Sequence, residues 1–551
     1  SSKGHDAPGM YSVMIGCGLL PYDNVCKLRR LGGLPGHPDV STELVATNTG
    51  SLGMGISKAR GMAIADRLRG REGHFYVMTG DGELQEGQIW ESLSPTVNHG
   101  INNITVVVDH NKLQSDTVVE EVSDLGDLEA KFAAFGWYVD CCDGNDVEAL
   151  AAAFGRAAEI QDRPKVIIAD TVKGCGVSLM QPGDLDIDNL YGFHSGAPSD
   201  NDYQEALGEL VADANGQLAA AGLPALELEK RVRLPKSVPE SPQCLIDAYA
   251  EALLAQGQAH PELVVLDADL MLDCGLIPFR KAFPERFVEC GIAEQDMVSQ
   301  AGGMALEGLL PVVHSFACFL STRPNEHIYN NATERSKMIY AGSLCGLLPS
   351  GPGHSHQSVR DISALTGVPG LTLFQPSCER EVGMALDWAV NENEQSTYLR
   401  LVSIPYEIPF ELPADYRLVL GKGVVLRDGD DAVLFAYGPV MLAEAYKAAM
   451  LLQEQDGIGM RVVNQPWLNR IDGEWLTITV GKRHIITLED HYIEGGMGAM
   501  LAATLTETGG CGPVVRLGLS DVPACGSNEE VLRHHGLDAV SIAGKIREAF
   551  T

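Results

Sequence analysis

A chain of 551 residues is too long to form one hydrophobic core, and its length predicts three or four domains. Its 45% apolar, 6% aromatic and 21% charged residues describe a globular α/β protein rather than a disordered or fibrous one. With 40 basic against 74 acidic side chains the net charge is −34, which repels nucleic acid and anionic membrane alike, and neither is expected as a partner.

The elements follow in chain order. Residues 1–200 alternate short β-rich runs with helical patterns. Strands are predicted at His74–Thr79, Ile104–Asp109, Trp137–Cys141 and Val166–Val172, and helices at Asp127–Phe135 and Asp146–Ile160. Such alternation predicts a parallel sheet wrapped by helices. The Pro-bearing polar stretch 222–242 reads as a linker between a first domain, 1–221, and a second, 243–415. In the second, helices are predicted at Cys244–Ala255 and Gln295–Glu307. Its strands are placed at Leu263–Ala268, Leu310–Ser315, Lys337–Ala341, Leu371–Phe374 and Tyr398–Val402. A third unit, 416–551, holds strands Ala432–Ala436, Arg461–Asn464 and His484–Leu488 and helix Met441–Gln455. The fold class is therefore α/β, with three consecutive doubly wound domains. No apolar run is long enough to span a membrane and no secretory leader is visible, so a cytoplasmic location is expected. Thirteen scattered cysteines without a CxxC fit reduced thiols better than a disulfide framework or a zinc site.

One segment carries chemistry. Gly80-Asp81-Gly82-Glu83-Leu84-Gln85-Glu86-Gly87 follows a predicted strand, and Asn111 stands thirty positions after Asp81, just past the next strand. Parallel-sheet enzymes bind ligands at the carboxyl ends of strands. A carboxylate, an amide oxygen and a nearby main-chain carbonyl, that of Leu113, make a hard-oxygen set of the kind Mg²⁺ prefers, with phosphate oxygens completing its octahedron. Glycines let backbone approach phosphate closely. Gly-Asp-Gly alone is more often a plain turn; the asparagine at a second strand end shifts the balance to a cofactor site.

With these residues in place, the chain resembles the transketolase family along essentially its whole length. The Gly-Asp-Gly and Asn pair is shared by thiamine-diphosphate enzymes generally. More particular to this family are Ser2-Lys3-Gly4-His5, Pro35-Gly36-His37-Pro38, Thr49-Gly50-Ser51-Leu52-Gly53-Met54-Gly55, His194-Ser195-Gly196-Ala197-Pro198, Gly291-Ile292-Ala293-Glu294-Gln295 and Leu488-Glu489-Asp490-His491-Tyr492. The resemblance implies a diphosphate-binding domain, a pyrimidine-binding domain and a C-terminal transketolase domain. It implies that Asp81, Asn111 and the Leu113 carbonyl hold Mg²⁺ (or Ca²⁺ or Mn²⁺), with Gly50, Leu52, Gly80, Gly82 and Glu86 near thiamine diphosphate. Glu294 would meet the aminopyrimidine nitrogen, where a buried carboxylate favours the protonated ring and frees the exocyclic amine to take the thiazolium proton. Phe316 and Phe319 would flank the pyrimidine, although two phenylalanines three apart are more often core. His5, His37, His194 and His356 would line the substrate channel, their ordinary pKa lying near neutrality. A homodimer with active sites at the subunit interface is implied as well, acting on small-molecule sugars or keto acids.

The departures from the family bear on substrate. Two arginines, a serine and a histidine normally grip the sugar phosphate. Here no arginine lies between Val238 and Pro278, the serine position reads Asp273, the histidine position reads Gly342, and the second arginine falls near Ser403. The loop Leu348-Pro349-Ser350-Gly351-Pro352-Gly353-His354-Ser355-His356 lacks the family's hydroxyl-facing aspartate and is longer than usual. A further active-site histidine of the amino-terminal helix is not visible, and the chain opens inside a motif, from which a missing amino-terminal stretch is expected. A carboxylate in place of a cation repels phosphate. The expectation is ketol transfer with a substrate lacking the terminal phosphate, and Arg323, Arg360 and Arg400 remain as ligands for an anion placed differently. Two alternatives stand beside it: a decarboxylating synthase resembling deoxyxylulose-phosphate synthase, and a non-catalytic thiamine-domain subunit.

Overall fold

The computed structural model describes residues 1–229, 239–509 and 513–550, and they fall into two compact units. The first holds residues 1–4, 51–229 and 291–293, and the second holds 5–50, 239–290 and most of the remainder. Part of the predicted linker, 230–238, lies outside the described residues.

The first unit is built on a four-stranded sheet of β1 (Phe75–Gly80), β2 (Ile104–His110), β3 (Tyr138–Asp143) and β4 (Lys165–Asp170), in the order β1-β2-β4-β3. All its pairings are parallel. Its apolar strands Ile-Thr-Val-Val-Val and Val-Ile-Ile-Ala are buried because parallel strands are reached by helical crossovers that cover both faces. Helix Val147–Glu159 begins where its sequence says it should: Asp146 accepts from the backbone N–H of Glu148 at 2.8 Å and Ala149 at 3.2 Å. The core gathers Ile56, Leu84, Ile89, Leu93, Ile104, Val106, Phe132 and Val166 around this sheet.

The second unit contains two sheets. A parallel sheet orders β5 (Leu263–Asp267), β6 (Phe287–Glu289), β7 (Leu310–Phe316), β8 (Ile339–Ser343), β9 (Thr372–Phe374) and β10 (Thr397–Arg400) as β6-β5-β7-β8-β10-β9. The other comprises β11 (Val424–Arg427), β12 (Ala432–Ala436), β13 (Met460–Asn464), β14 (His484–Tyr492) and β15 (Val514–Leu519), ordered β11-β13-β12-β14-β15. Only β11 runs antiparallel, along β13 at the sheet edge. The register of β14 on β15 slips between Leu488 and Tyr492, leaving Glu489, Asp490 and His491 buried in an irregular stretch.

Most predicted elements lie within two residues of those observed. The strand expected at Lys337–Ala341 begins instead at Ile339, because Lys337 sends its ammonium to the Val390 carbonyl and the Met338 N–H goes to the Ser396 hydroxyl. Three edge strands, β6, β11 and β15, had no prediction. No helix of the described residues is long and apolar enough to cross a membrane.

Candidate functional site

In the first unit the residues converge at the carboxyl ends of β1 and β2. Asp81 follows β1 and is 2% exposed. Its two oxygens accept from the backbone N–H groups of Gly82 and Lys112. Burial pushes its carboxyl up, opposed by those two amides and by the Lys3 charge. Lys112 has a left-handed backbone, φ +67°, and stands between Asn111 and Leu113. The Asn111 amide donates to Asp109 at 3.1 Å, while its oxygen accepts from Leu113 N at 3.0 Å. Burial alone would raise Asp109, but its ion pair with Lys3 and the Thr171 hydroxyl hold it below the usual carboxylate range.

Glu83, to which the sequence pointed no role, ties this region together. Its carboxylate is 3% exposed and accepts from the Ser2 hydroxyl, from Gly53 N at 2.8 Å and from Gly80 N at 3.2 Å. The opening motif, the glycine loop after Thr49 and the Gly-Asp-Gly turn thus share one acceptor. Its place in the Gly-Asp-Gly-Glu run was the one available signal. Gly53, at φ +86°, admits no side chain: a Cβ there would stand 3.0 Å from Glu86 Cβ. Leu52 is half-buried in the same loop, and Gly80, Gly82 and Glu86 are buried. His194 Nδ1 lies 2.9 Å from the Lys173 ammonium. Burial, then Lys173 and Lys3, lower its pKa to about 3, so it is a neutral ring at physiological pH. A cavity of about 870 Å³ opens at the ends of β2, β3 and β4, lined in part by His110, Lys112, Asp143 and Asp170 but by none of Asp81, Glu83, Asn111 or His194.

These residues fit the group that the resemblance implies. A buried carboxylate raised by desolvation, an asparagine oxygen and main-chain carbonyls form a hard-oxygen donor set. Among the described residues no cluster of three or more His, Cys, Asp or Glu side chains competes as a metal site.

In the second unit Glu294 starts helix Glu294–Leu306 and is 3% exposed. Arg323 donates through Nη1 to both of its oxygens at 3.0 Å, and the guanidinium sits 4.7 Å above the Phe319 ring. Phe316 ends β7, and its ring centroid is 6.2 Å from that of Phe319. His356 stands edge-on to Phe319 at 5.2 Å and to Phe316 at 6.0 Å. His37 stacks on His356 at 4.2 Å, and its Nδ1 donates to the Pro352 carbonyl at 2.8 Å. Burial lowers both histidines, with Arg29 and His354 acting on each in the same direction and His37 and Arg323 adding to the effect on His356. Gly50, at φ +97°, lies against this group: a Cβ there would come within 2.2 Å of Ser355 Oγ. His5 sits half-buried in the helical turn Gly4–Asp6 at the start of this unit. Glu294, Phe316, Phe319, His356, His37 and Gly50 are therefore assembled, and Asp81, Asn111, Leu113, Gly82 and Glu86 form the group in the first unit.

The arginines read as ligands for an anion stand in different surroundings. Arg400 is fully buried, bonded to Asp361, to the Gln375 side chain and to the Ser358 carbonyl, and so has no reach to a substrate. Arg323 is engaged by Glu294. Neither pairing has a sequence signal, since each joins distant parts of the chain. Arg360 is exposed.

Comparison with known proteins divides the chain into three. Residues 1–190 match the transketolase thiamine diphosphate binding domain, 243–406 the transketolase pyrimidine binding domain and 421–542 the transketolase C-terminal domain. Transketolase-like protein 2 of Mus musculus is 32% identical over 569 residues, covering 99% of this chain and 87% of that protein. Transketolase of Homo sapiens is 30% identical over 565 residues, covering 100% of this chain and 88% of its own length. The crystal structure of transketolase from Campylobacter jejuni shares the fold, with a TM-score of 0.50 at 20% identity over 99% of this chain and 90% of that one. Matched from end to end by such relatives, the chain belongs to the transketolase family.

Proposed function

We propose that this protein uses thiamine diphosphate and Mg²⁺ to transfer a two-carbon ketol unit from a ketose donor to an aldehyde acceptor, and that its substrate lacks the usual terminal phosphate. It acts as a homodimer with its active sites at the subunit interface. The observation that carries the reading is Glu294: a carboxylate 3% exposed, at a helix start, beside Phe316, Phe319 and His356.

Thiamine diphosphate, when bound, supplies the carbon nucleophile. Asp81, Asn111 and the Leu113 carbonyl would hold the metal, and a Cβ on Gly82 would stand 2.8 Å from the Gln114 side chain, which keeps that turn glycine. Glu294 holds a proton at the pyrimidine nitrogen, with Arg323 fixing the carboxylate's orientation. The rings of His37 and His356 in the second unit, and of His194 in the first, are neutral and offer nitrogens to substrate hydroxyls.

The missing phosphate ligands have structural support. A Cβ on Gly342 would stand 2.7 Å from the Tyr398 hydroxyl and 3.0 Å from Ala317 Cα, so no imidazole fits there. The Ser403 hydroxyl accepts from Leu344 N at 2.8 Å and serves the backbone. Asp273 is exposed.

The test is ketol transfer by the purified protein with thiamine diphosphate and Mg²⁺, using free and phosphorylated ketoses side by side. Transfer from free donors, lost in Glu294→Gln while cofactor binding persists, is expected. Efficient use of xylulose 5-phosphate would refute the lost-phosphate reading, and carbon dioxide release from pyruvate would move the protein to the decarboxylating synthases. Unchanged turnover in Glu294→Gln would sink the mechanism.

A further inference from the structure

We propose that the segment Ala524–Glu530 of the C-terminal domain positions the stacked pair His37 and His356, with Glu530 and Ser350 as the positioning residues; the proposal deepens the ketol-transfer reading of that site and rests on it.

After β15 the chain makes a corner that is fixed within itself. Helix Asn528–His535 begins with a full capping box: Ser527 Oγ accepts from Glu530 N at 3.3 Å, and the Glu530 carboxylate accepts from Ser527 N at 2.9 Å. The far end of the helix is tied back, because Ala524 N donates to His535 Nε2 at 3.0 Å. Gly526 is buried in the corner, where a Cβ would stand 3.1 Å from Leu31 N.

On one side the corner holds the His356 loop at both of its ends. Ser350 is fully buried; its hydroxyl donates to the Gly526 carbonyl at 2.9 Å and its N–H to Asn528 Oδ1 at 3.2 Å. At the other end of the loop, Gln357 Nε2 donates to the Ala524 carbonyl at 3.1 Å and to the Leu347 carbonyl at 3.0 Å. Between these ends the Cys525 thiol donates to the Gly351 carbonyl at 3.2 Å. On the other side the corner holds the turn before His37. Glu530 accepts from Arg30 Nε at 3.1 Å and from Leu31 N at 3.1 Å. An exposed ion pair alone holds little, so the bond to the Leu31 backbone is the one that fixes the turn. Arg30 first, then the Ser527 and Leu31 amides, push the Glu530 carboxyl down to about 2, and it stays an anion.

The two loops meet backbone to backbone within this hold. A Cβ on Gly36 would be 2.3 Å from the Gly351 carbonyl oxygen and 2.9 Å from Pro352 Cα. His37 Nδ1 donates to the Pro352 carbonyl at 2.8 Å, and its ring stacks on that of His356 at 4.2 Å. Residues 35–39 and 350–357 form no helix or strand of their own, so their geometry is inherited from what grips them. A misplacement of about 1 Å can cost about a hundredfold in rate.

The experiment compares the wild-type holoprotein with Glu530→Ala, Glu530→Gln and Ser350→Ala. Histidines are labelled with diethyl pyrocarbonate and read peptide by peptide by mass spectrometry, beside steady-state kinetics with a free ketose donor. His37 and His356 are expected to label about two- to tenfold faster in both alanine variants, with Glu530→Gln between, while fully buried His314 of the same unit stays within about twofold. The kcat should fall about ten- to a hundredfold with the thiamine-diphosphate Kd unchanged. Unchanged labelling of the pair in either alanine variant would overturn the proposal. So would a rise at His314 in step with theirs, which is general loosening. Faster labelling with undiminished kcat would defeat it as well, since the hold would then serve structure alone. Should no donor turn over even in wild type, the ketol-transfer reading fails, and the labelling rates still decide what holds the two rings.

Discussion

Glu83 accepts three hydrogen bonds from three separate stretches of chain, those of Ser2, Gly53 and Gly80. Two of these donors are backbone amides in glycine turns, and an orphaned buried amide costs about 1–3 kcal/mol. Glu83→Ala is therefore expected to weaken thiamine-diphosphate binding about tenfold or more, read from tryptophan-fluorescence titration in Mg²⁺ buffer. Affinity equal to wild type would mean that the turns hold their shape without it. The contrast with Asp81 shows what a sequence discloses at this scale. That Asp81 and Asn111 stand at the ends of neighbouring strands was legible, because strands and glycine turns are local patterns. Glu83, and the Arg323 partner of Glu294, were not, because each gains its role from partners that only the folded chain supplies.

The irregular end of β14 shows the same limit for elements. The strand was read as stopping at Leu488, yet it runs on to Tyr492 and the irregular stretch buries Glu489, Asp490 and His491. Tertiary context overrides local pattern there. Burial pushes the Glu489 carboxyl up to about 8, with the Gly498 and Met497 amides opposing. Among the described residues its Oε2 has no hydrogen-bond partner, and the point where a Cβ on Gly498 would stand is 2.3 Å from Thr487 Oγ1 and 2.9 Å from Glu489 Oε1. The folded-state pKa lies above that of the unfolded chain, so the folded state retains a proton that the unfolded state releases. The associated stability is complete below about pH 4.5 and is lost as pH rises through about 8. Glu489→Gln keeps the shape without the titration. Its melting temperature should gain on wild type as pH is raised from 5 to 8.5, the difference reaching a few kcal/mol in order of magnitude. A gap that stays constant across that range would place the titration elsewhere.

For the whole molecule, three α/β domains could be read from alternating patterns, because buried parallel strands and amphipathic helices carry their own periodicity. The route of the chain could not. Residues 5–50 precede the first sheet in sequence and yet belong to the second unit, where His37 meets His356 and Gly50 meets Ser355. No local preference encodes such a return. Ligand linkage offers a test at this scale: a cofactor that binds only the folded protein adds about 2.7 kcal/mol at a hundred times its Kd. Thiamine diphosphate with Mg²⁺ should raise Tm, neither alone should match the pair, and chelator should reverse the gain. A Tm indifferent to both would speak against the metal and diphosphate assignment of Asp81 and Asn111.

The return path also sets a timetable for biosynthesis. His37 and the Pro352 carbonyl that it engages are 315 residues apart in the chain. At about 5–20 residues per second, the early segment leaves the ribosome roughly 15 to 60 seconds before its partner exists. During that interval residues 5–50 lack the later segments with which they form one unit, which makes the nascent polypeptide a client for chaperones until its fold is complete.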